Sequence, residues 1–218
     1  HVAFDPESRL VLAVVPGKRT WENAVRLLKQ VKARMRDRLP DLLTSDEYPV
    51  YATAILEVYG TKVRPPRTGK PGRPKKAVTV APSGLNYATV HKTRKQGRVV
   101  KVERKIVFGS ADSVAAAVAR STAGRTINTS FLERHNGSER HRNSRKIRKT
   151  CGFSKDWDAH ESMTYFSNYA SNFCWPVRTL RQQAGGRWQR RTPAMAAGLA
   201  DRVWSLRDWV TFPALQRN

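Results

Sequence analysis

Apolar positions along this chain recur first at strand spacing and then at helix spacing. Val2 to Phe4 and Leu10 to Val15 are short runs of β-branched and large apolar residues. They flank Asp5-Pro6-Glu7-Ser8, whose composition suits a tight turn, so the pair reads as a hairpin with Asp5 in a turn role. After Pro16-Gly17, Thr20 can cap a helix whose apolar residues Trp21, Ala24, Val25, Leu28, Val31 and Met35 fall on one face, with Pro40 marking its end. Leu42 to Ser45 then reads as a short buried strand that delivers Asp46 at its C-terminal end. A helix follows from about Pro49 to Tyr59, stopped by Gly60. Strand, strand, helix, strand, helix is an α/β pattern.

Further on, Ala77 to Thr93 and Arg98 to Phe108 are β-rich runs joined by Lys95-Gln96-Gly97, which predicts a two-stranded hairpin inserted between α/β segments. Ser113 to Ala123 is an Ala-rich helix. A second helix runs from Ser130 to about Lys149, weakened by Gly137. From Asp156 to Phe173 the residues Ala159, Met163, Phe166, Ala170 and Phe173 share a face, which predicts an amphipathic helix flanked by Trp157 and Trp175 as core residues. The chain therefore divides into segments 1–60, 61–110, 111–180 and 181–218, the last a partly structured tail.

Charge changes this picture more than composition does. Of the 218 residues, 41 are Lys or Arg against 17 Asp or Glu, a net charge of +24, which implies a polyanionic partner with nucleic acid foremost. Residues 62–105 alone hold 14 Lys or Arg and a single Glu. Within them, Arg64 to Lys76 has four Pro, two Gly and six cations and reads as an extended, solvated segment. Its Lys70-Pro71-Gly72-Arg73-Pro74-Lys75-Lys76 is similar to an AT-hook, in which Arg73 enters a narrow minor groove while Lys75 and Lys76 flank it. A generic basic linker explains the same residues. The longest strongly apolar run, Leu10 to Val15, is six residues and far too short for a membrane span. Cys151 and Cys174 lie far apart without a CxxC pair, which fits a reducing compartment better than a disulfide scaffold.

Two carboxylates stand out against this basic background. Asp46 closes a strand and opens onto a helix, the place where open α/β sheets put their ligands; a capping or turn role explains it equally well. Glu133, in Thr129-Ser130-Phe131-Leu132-Glu133-Arg134-His135-Asn136, begins a helix, where the dipole alone favours an acid. Behind it come Arg134, Arg140, Arg142, Arg145, Lys146, Arg148 and Lys149, a stretch suited to lining DNA phosphates or to an ordinary solvated face.

These residues, with LLTSDEYPVY around Asp46, INTSFLERHNGSERHRNSRKIRKTCGFSKDW from Ile127 and RRTPAMAAGLADRVWSLRDW near the end, resemble a bacterial insertion-sequence transposase of the DDE type over essentially the whole chain. The resemblance implies a ribonuclease H-like, five-stranded mixed sheet with flanking helices, its first strand and first catalytic Asp preceding His1, so that this chain by itself does not cleave DNA. It further implies Asp46 and Glu133 as ligands of Mg²⁺ or Mn²⁺ and as catalytic groups for cutting and joining DNA strands. Double-stranded DNA at the element's ends and target, a homo-oligomer on that DNA, and a place at the bacterial nucleoid in the cytoplasm come with it. A non-enzymatic basic DNA- or RNA-binding protein, a decayed transposase, is the competing reading.

Overall fold

The computed structural model describes residues 1–65, 75–147 and 151–213. The chain opens with strands β1 (Val2–Phe4) and β2 (Val11–Val14), helix α1 (Trp21–Arg34), strand β3 (Leu43–Asp46) and helix α2 (Val50–Tyr59). Next come β4 (Thr61–Val63), β5 (Val78–Val80), β6 (Tyr87–Lys95) and β7 (Arg98–Phe108), then helices α3 (Ala111–Arg120), α4 (Ser130–Arg142) and α5 (Trp157–Cys174). A small hairpin, β8 (Gln182–Ala184) and β9 (Arg187–Gln189), and the short helices α6 (Pro193–Ala196) and α7 (Leu206–Thr211) follow. The protein is mixed α/β. It divides into two compact units, one of Gly17–Thr129 with His1, the other of Val2–Pro16 with the residues from Ser130 onward. No helix among the described residues is long and apolar enough to cross a membrane.

The first unit is built on a mixed sheet of order β3-β6-β7, with β3 parallel to β6 and β6 antiparallel to β7. Ala24, Val25 and Leu28 of α1 pack with Ala54, Ile55, Val58 and Tyr59 of α2 and with Leu85 and Tyr87, which is one apolar core. Thr20 caps α1 by accepting from the Asn23 amide, as its position before the first apolar residue predicts, but Trp21 stays exposed. The helix stops well before Pro40. The amides of Arg36 and Asp37 bond back to the carbonyls of Ala33 and Lys32, a Schellman motif, with both residues at positive φ.

The run from Ala77 to Thr93 is not one strand. Pro82 and Gly84 break it, so Val78–Val80 pair with β4 while Tyr87 starts β6. Tyr87 to Val90 are buried as the centre of the sheet, so the root of the β6–β7 hairpin belongs to the core and is no appendage. Gly109, just after β7, sits at φ +92 with Asn86 so close that a Cβ would collide with its side-chain oxygen.

In the second unit, β2 is the buried strand, with Val11, Ala13, Val14 and Val15 almost inaccessible. One side of it pairs with β1; the Val11 peptide is satisfied by Asn172 of α5, whose Oδ1 accepts from the Val11 amide at 2.9 Å and whose Nδ2 donates to the Val11 carbonyl at 3.0 Å. A side-chain amide thus stands where a third strand would be. The expected apolar stripe of α5 is correspondingly not the buried one. Thr164, Ser167, Asn168, Ser171 and Asn172 are buried with Ala170, while Met163 and Trp157 are exposed. The Ser171 hydroxyl donates to the Asn168 carbonyl of its own helix at 2.6 Å and the Ser167 hydroxyl donates to Glu139 of α4, which makes their burial tolerable. Because Asn172→Ala leaves a buried amide and carbonyl of β2 unpaired, it is expected to cost about 2 kcal/mol, measured by urea unfolding.

The tail is more ordered than its composition suggests. Phe173 packs on Trp204 and Trp209, with ring centres 4.8 and 5.3 Å apart, and α7 begins in a capping box formed by Ser205 and Asp208. The Arg202 guanidinium and the Ser205 groups hold the Asp208 carboxyl at a pKa of about 2. Its support for α7 is therefore complete above about pH 4 and is lost as the pH falls toward 2. An Asp208 carboxyl midpoint near 2 in an NMR titration is the expected outcome; one near 4 contradicts the pairing.

Candidate functional site

Asp46 ends β3 with Val90 of β6 as its register partner, at the C-terminal edge of the parallel pair. Its side chain is 58% exposed and accepts from Arg19 Nη2 at 2.8 Å. Arg19 itself lies over the Tyr48 ring, 4.6 Å from its centre, and the Tyr48 hydroxyl donates to the Arg19 carbonyl. Two further tyrosines surround the strand end. Ser45 Oγ donates to the Asp46 carbonyl, so the Tyr87 hydroxyl, 2.7 Å away, donates to Ser45. Burial, and next the Asp46 carboxylate, push Tyr51 up to about 12; burial and more weakly Asp46 raise Tyr87, so both stay neutral donors at physiological pH. Beyond Asp46, Glu47 pairs with His91 at 2.7 Å, tying the loop after β3 to β6. An ion pair as exposed as Arg19–Asp46 contributes about 0–1 kcal/mol.

Glu133 lies in the first turn of α4 in the second unit and is exposed, next to exposed Arg134. On the same turn, Arg9 from the β1–β2 connection places its guanidinium 3.7 Å from the centre of the Phe131 ring. Burial, and then the nearby Arg134, lower the Arg9 pKa. Arg9 is held at φ +61, and its sequence neighbourhood carries no signal for this role. Asp5 accepts from the amides of Glu7 and Ser8 and from the Ser8 hydroxyl, the turn role its position suggests.

The carboxylate that sequence reasoning passed over is Glu139. It is 3% exposed, on the buried side of α4. Its Oε1 accepts from Lys146 Nζ at 3.0 Å, from Asn168 Nδ2 at 3.1 Å and from the Ser167 hydroxyl, while Oε2 is buried without a partner. Asn168 Nδ2 also donates to the Thr164 carbonyl, which fixes the amide's orientation, so its Oδ1 accepts and His135 Nε2, 2.9 Å away, carries the proton. Burial lowers the His135 pKa against the opposing pull of Asn168 and Glu139, and its ring packs on Phe4. A Glu within a run of cations and two turns past Glu133 was the available signal.

The basic stretch after Glu133 is not a uniform phosphate lining. Lys146 turns inward to Glu139, with its side chain only 19% exposed, because an unpaired buried carboxylate is costly. Arg142 is exposed, but its guanidinium lies over the Trp175 ring, 5.2 Å from the ring centre. Arg145 donates to Ser154 Oγ at 3.0 Å, and among the described residues of this stretch only Arg134 and Arg140 are exposed without such engagement. Lys75 and Lys76 are exposed on the segment leading into β5; Arg73, Arg148 and Lys149 lie outside the described residues. No family model, curated protein or solved structure matches the chain. Among the described residues no three His, Cys, Asp or Glu gather as a metal cage. Asp46 belongs to the first unit and Glu133 to the second.

Proposed function

We propose that the protein is a DNA transposase of the DDE type with a ribonuclease H-like catalytic domain, acting on duplex DNA at the nucleoid as a homo-oligomer. The observation that carries this reading is Asp46: an exposed carboxylate at the C-terminal end of a parallel strand, in a chain of net charge +24. Its sequence context and that of Glu133 resemble the second Asp and the Glu of that family. Both are exposed, hard oxygen donors, the chemistry that Mg²⁺ or Mn²⁺ selects. When bound, such ions supply an activated water or 3′-hydroxyl and neutralise the phosphate under attack. Asp46 and Glu133 would hold them.

The chain's own groups have the remaining work. Arg19, released from Asp46, stays fixed on Tyr48 with its guanidinium free for a phosphate oxygen. Arg134 and Arg140 offer further cations beside Glu133 on α4. The Glu139 centre fixes α4 against α5 and thereby sets the bearing of Glu133. The second reading, a basic nucleic-acid-binding protein without catalysis, draws on the Arg19–Asp46 pair, which is what a purely structural Asp46 would make. Mg²⁺-dependent nicking and joining of a labelled duplex by the full-length protein, lost on Asp46→Asn and on Glu133→Gln, is the outcome that separates them; metal-independent binding with no cleavage by that full-length protein supports the second.

A further inference from the structure

Beyond the pair His91 and Glu103, the β6–β7 hairpin leaves the core. Arg98 to Ile106 are all exposed, nine residues in succession, and the turn residues Lys95 to Gly97 are exposed as well. At its root the arm is joined to the Asp46 end of β3 twice, through the Asp46–Val90 register and the contact of Glu47 with His91 at 2.7 Å. The register places Lys92 and Arg94 with Val99 and Val102 on one face, and Lys95, Arg98 and Lys101 on the other. Cations thus stand on both faces, and the arm's one acid, Glu103, is already paired with Lys101 at 2.8 Å. At the tip, Gln96 is held at φ +49, where glycine or asparagine is the easier choice for a turn of this type. A long amide side chain kept at a strained turn points to a use for that amide.

We propose that this arm, residues 91–105, docks tip-first into the major groove of a DNA duplex, with Gln96 and Arg98 at base edges and the cations of its two faces on the flanking phosphates. The inference rests on the reading of the protein as one that acts on duplex DNA, and it names the element that presents the duplex beside Asp46. The dimensions suit it. A B-form major groove, about 12 Å wide and 8.5 Å deep, admits a two-stranded ribbon, whereas the deep, narrow major groove of an RNA duplex does not. Gln pairs with adenine and Arg with guanine there, and exposed valines can meet thymine methyl groups. The excess of cations over acid on the arm makes a polyanion the complementary partner.

The test is binding of the full chain, without divalent metal, to a 20-base-pair mixed-sequence DNA duplex and to the RNA duplex of the same sequence across a salt series. Lys95→Ala/Arg98→Ala is expected to weaken DNA binding about tenfold and to lower the log–log salt slope by about one, the share of Lys95, since Arg98 meets a base edge, with RNA binding unchanged. Methyl green, a major-groove ligand, is expected to compete with the wild type and to have little effect on the double variant; netropsin in the minor groove is expected to leave their difference intact. Gln96→Gly, which relaxes the turn and so keeps the hairpin folded, is expected to bind all duplexes with nearly the same slope but to discriminate less among sequences. A wild-type slope in the double variant, an equal loss on RNA, or a change in oligomeric state accompanying the loss would overturn the proposal, the last by showing that the arm holds a second copy. Cleavage is not part of this assay. Normal arm binding with no cleavage by the full-length protein removes the transposase reading alone, and intact cleavage by the full-length protein with no arm effect removes this inference alone.

Discussion

Asp46→Asn and Glu133→Gln, each introduced into the full-length protein, are expected to lower Mg²⁺-dependent DNA cleavage by at least about a thousandfold. Each swap keeps the side chain's volume and replaces one anionic oxygen with an amide nitrogen, so it removes a metal ligand and little else. Metal stabilisation of a phosphoryl-transfer transition state amounts to several kcal/mol, and about 1.4 kcal/mol corresponds to tenfold in rate. Stability should barely change, because both side chains are exposed and exposed substitutions usually stay within about 0.5 kcal/mol. DNA affinity should hold or rise slightly, since each variant removes a negative charge from a protein with 41 cations. Single-turnover cleavage of a labelled duplex, with binding measured on the same preparation, checks all three. Wild-type cleavage in either variant would remove that residue from the site.

The second large effect is on stability. Glu139→Ala is expected to cost about 3 kcal/mol and Lys146→Met as much or more, whereas Glu139→Gln should cost only about 1–2 kcal/mol. The ordering follows from what each variant leaves behind. Without Lys146, a carboxylate that is 3% exposed loses its counter-charge and cannot reach water. Without Glu139, the Lys146 ammonium can still swing outward, because its side chain is already 19% exposed. Glutamine retains an oxygen for Ser167 and Asn168, so only the charge-assisted part is lost. Urea unfolding followed by circular dichroism gives the three values; equal and small losses would show that the pair sits in effective contact with solvent. If the network also sets the bearing of Glu133, Glu139→Gln should lower cleavage at saturating DNA more than it lowers DNA affinity.

Much of the first unit was legible because local signals and burial agree there. The Thr20 cap, the apolar face from Ala24 to Val31, the short strand ending on Asp46 and the helix ending before Gly60 all follow from capping chemistry and periodicity, although that strand alternates between half-buried and exposed residues where its apolar start predicts burial. Misreadings arose where a distant partner changed what a local pattern meant. Ala77 to Thr93 looks continuously β-rich, yet β4 takes its first part and β3 its last. In α5 the apolar spacing is real, but Asn172 and Asn168 are drawn inward because Val11 and Glu139 offer them partners. Lys146 reads as a phosphate contact until Glu139 is found beneath it.

By itself the amino-acid sequence determined the mixed α/β class, the net charge of +24 and the placing of Asp46 at a strand end and Glu133 at a helix start. Those properties depend on composition and on neighbours within a few residues, which a linear reading contains. Tertiary structure alone decided that Arg19 covers Asp46, that Glu139 closes a buried polar centre, that a side-chain amide completes the edge of β2 and that the basic hairpin is rooted beside Asp46. Each depends on residues from about 7 to 161 positions apart meeting within hydrogen-bond or strand-pairing distance, and the cost of an unpaired buried polar group dictates that they meet. Such pairing is selected by the packed whole, so no local pattern carries it.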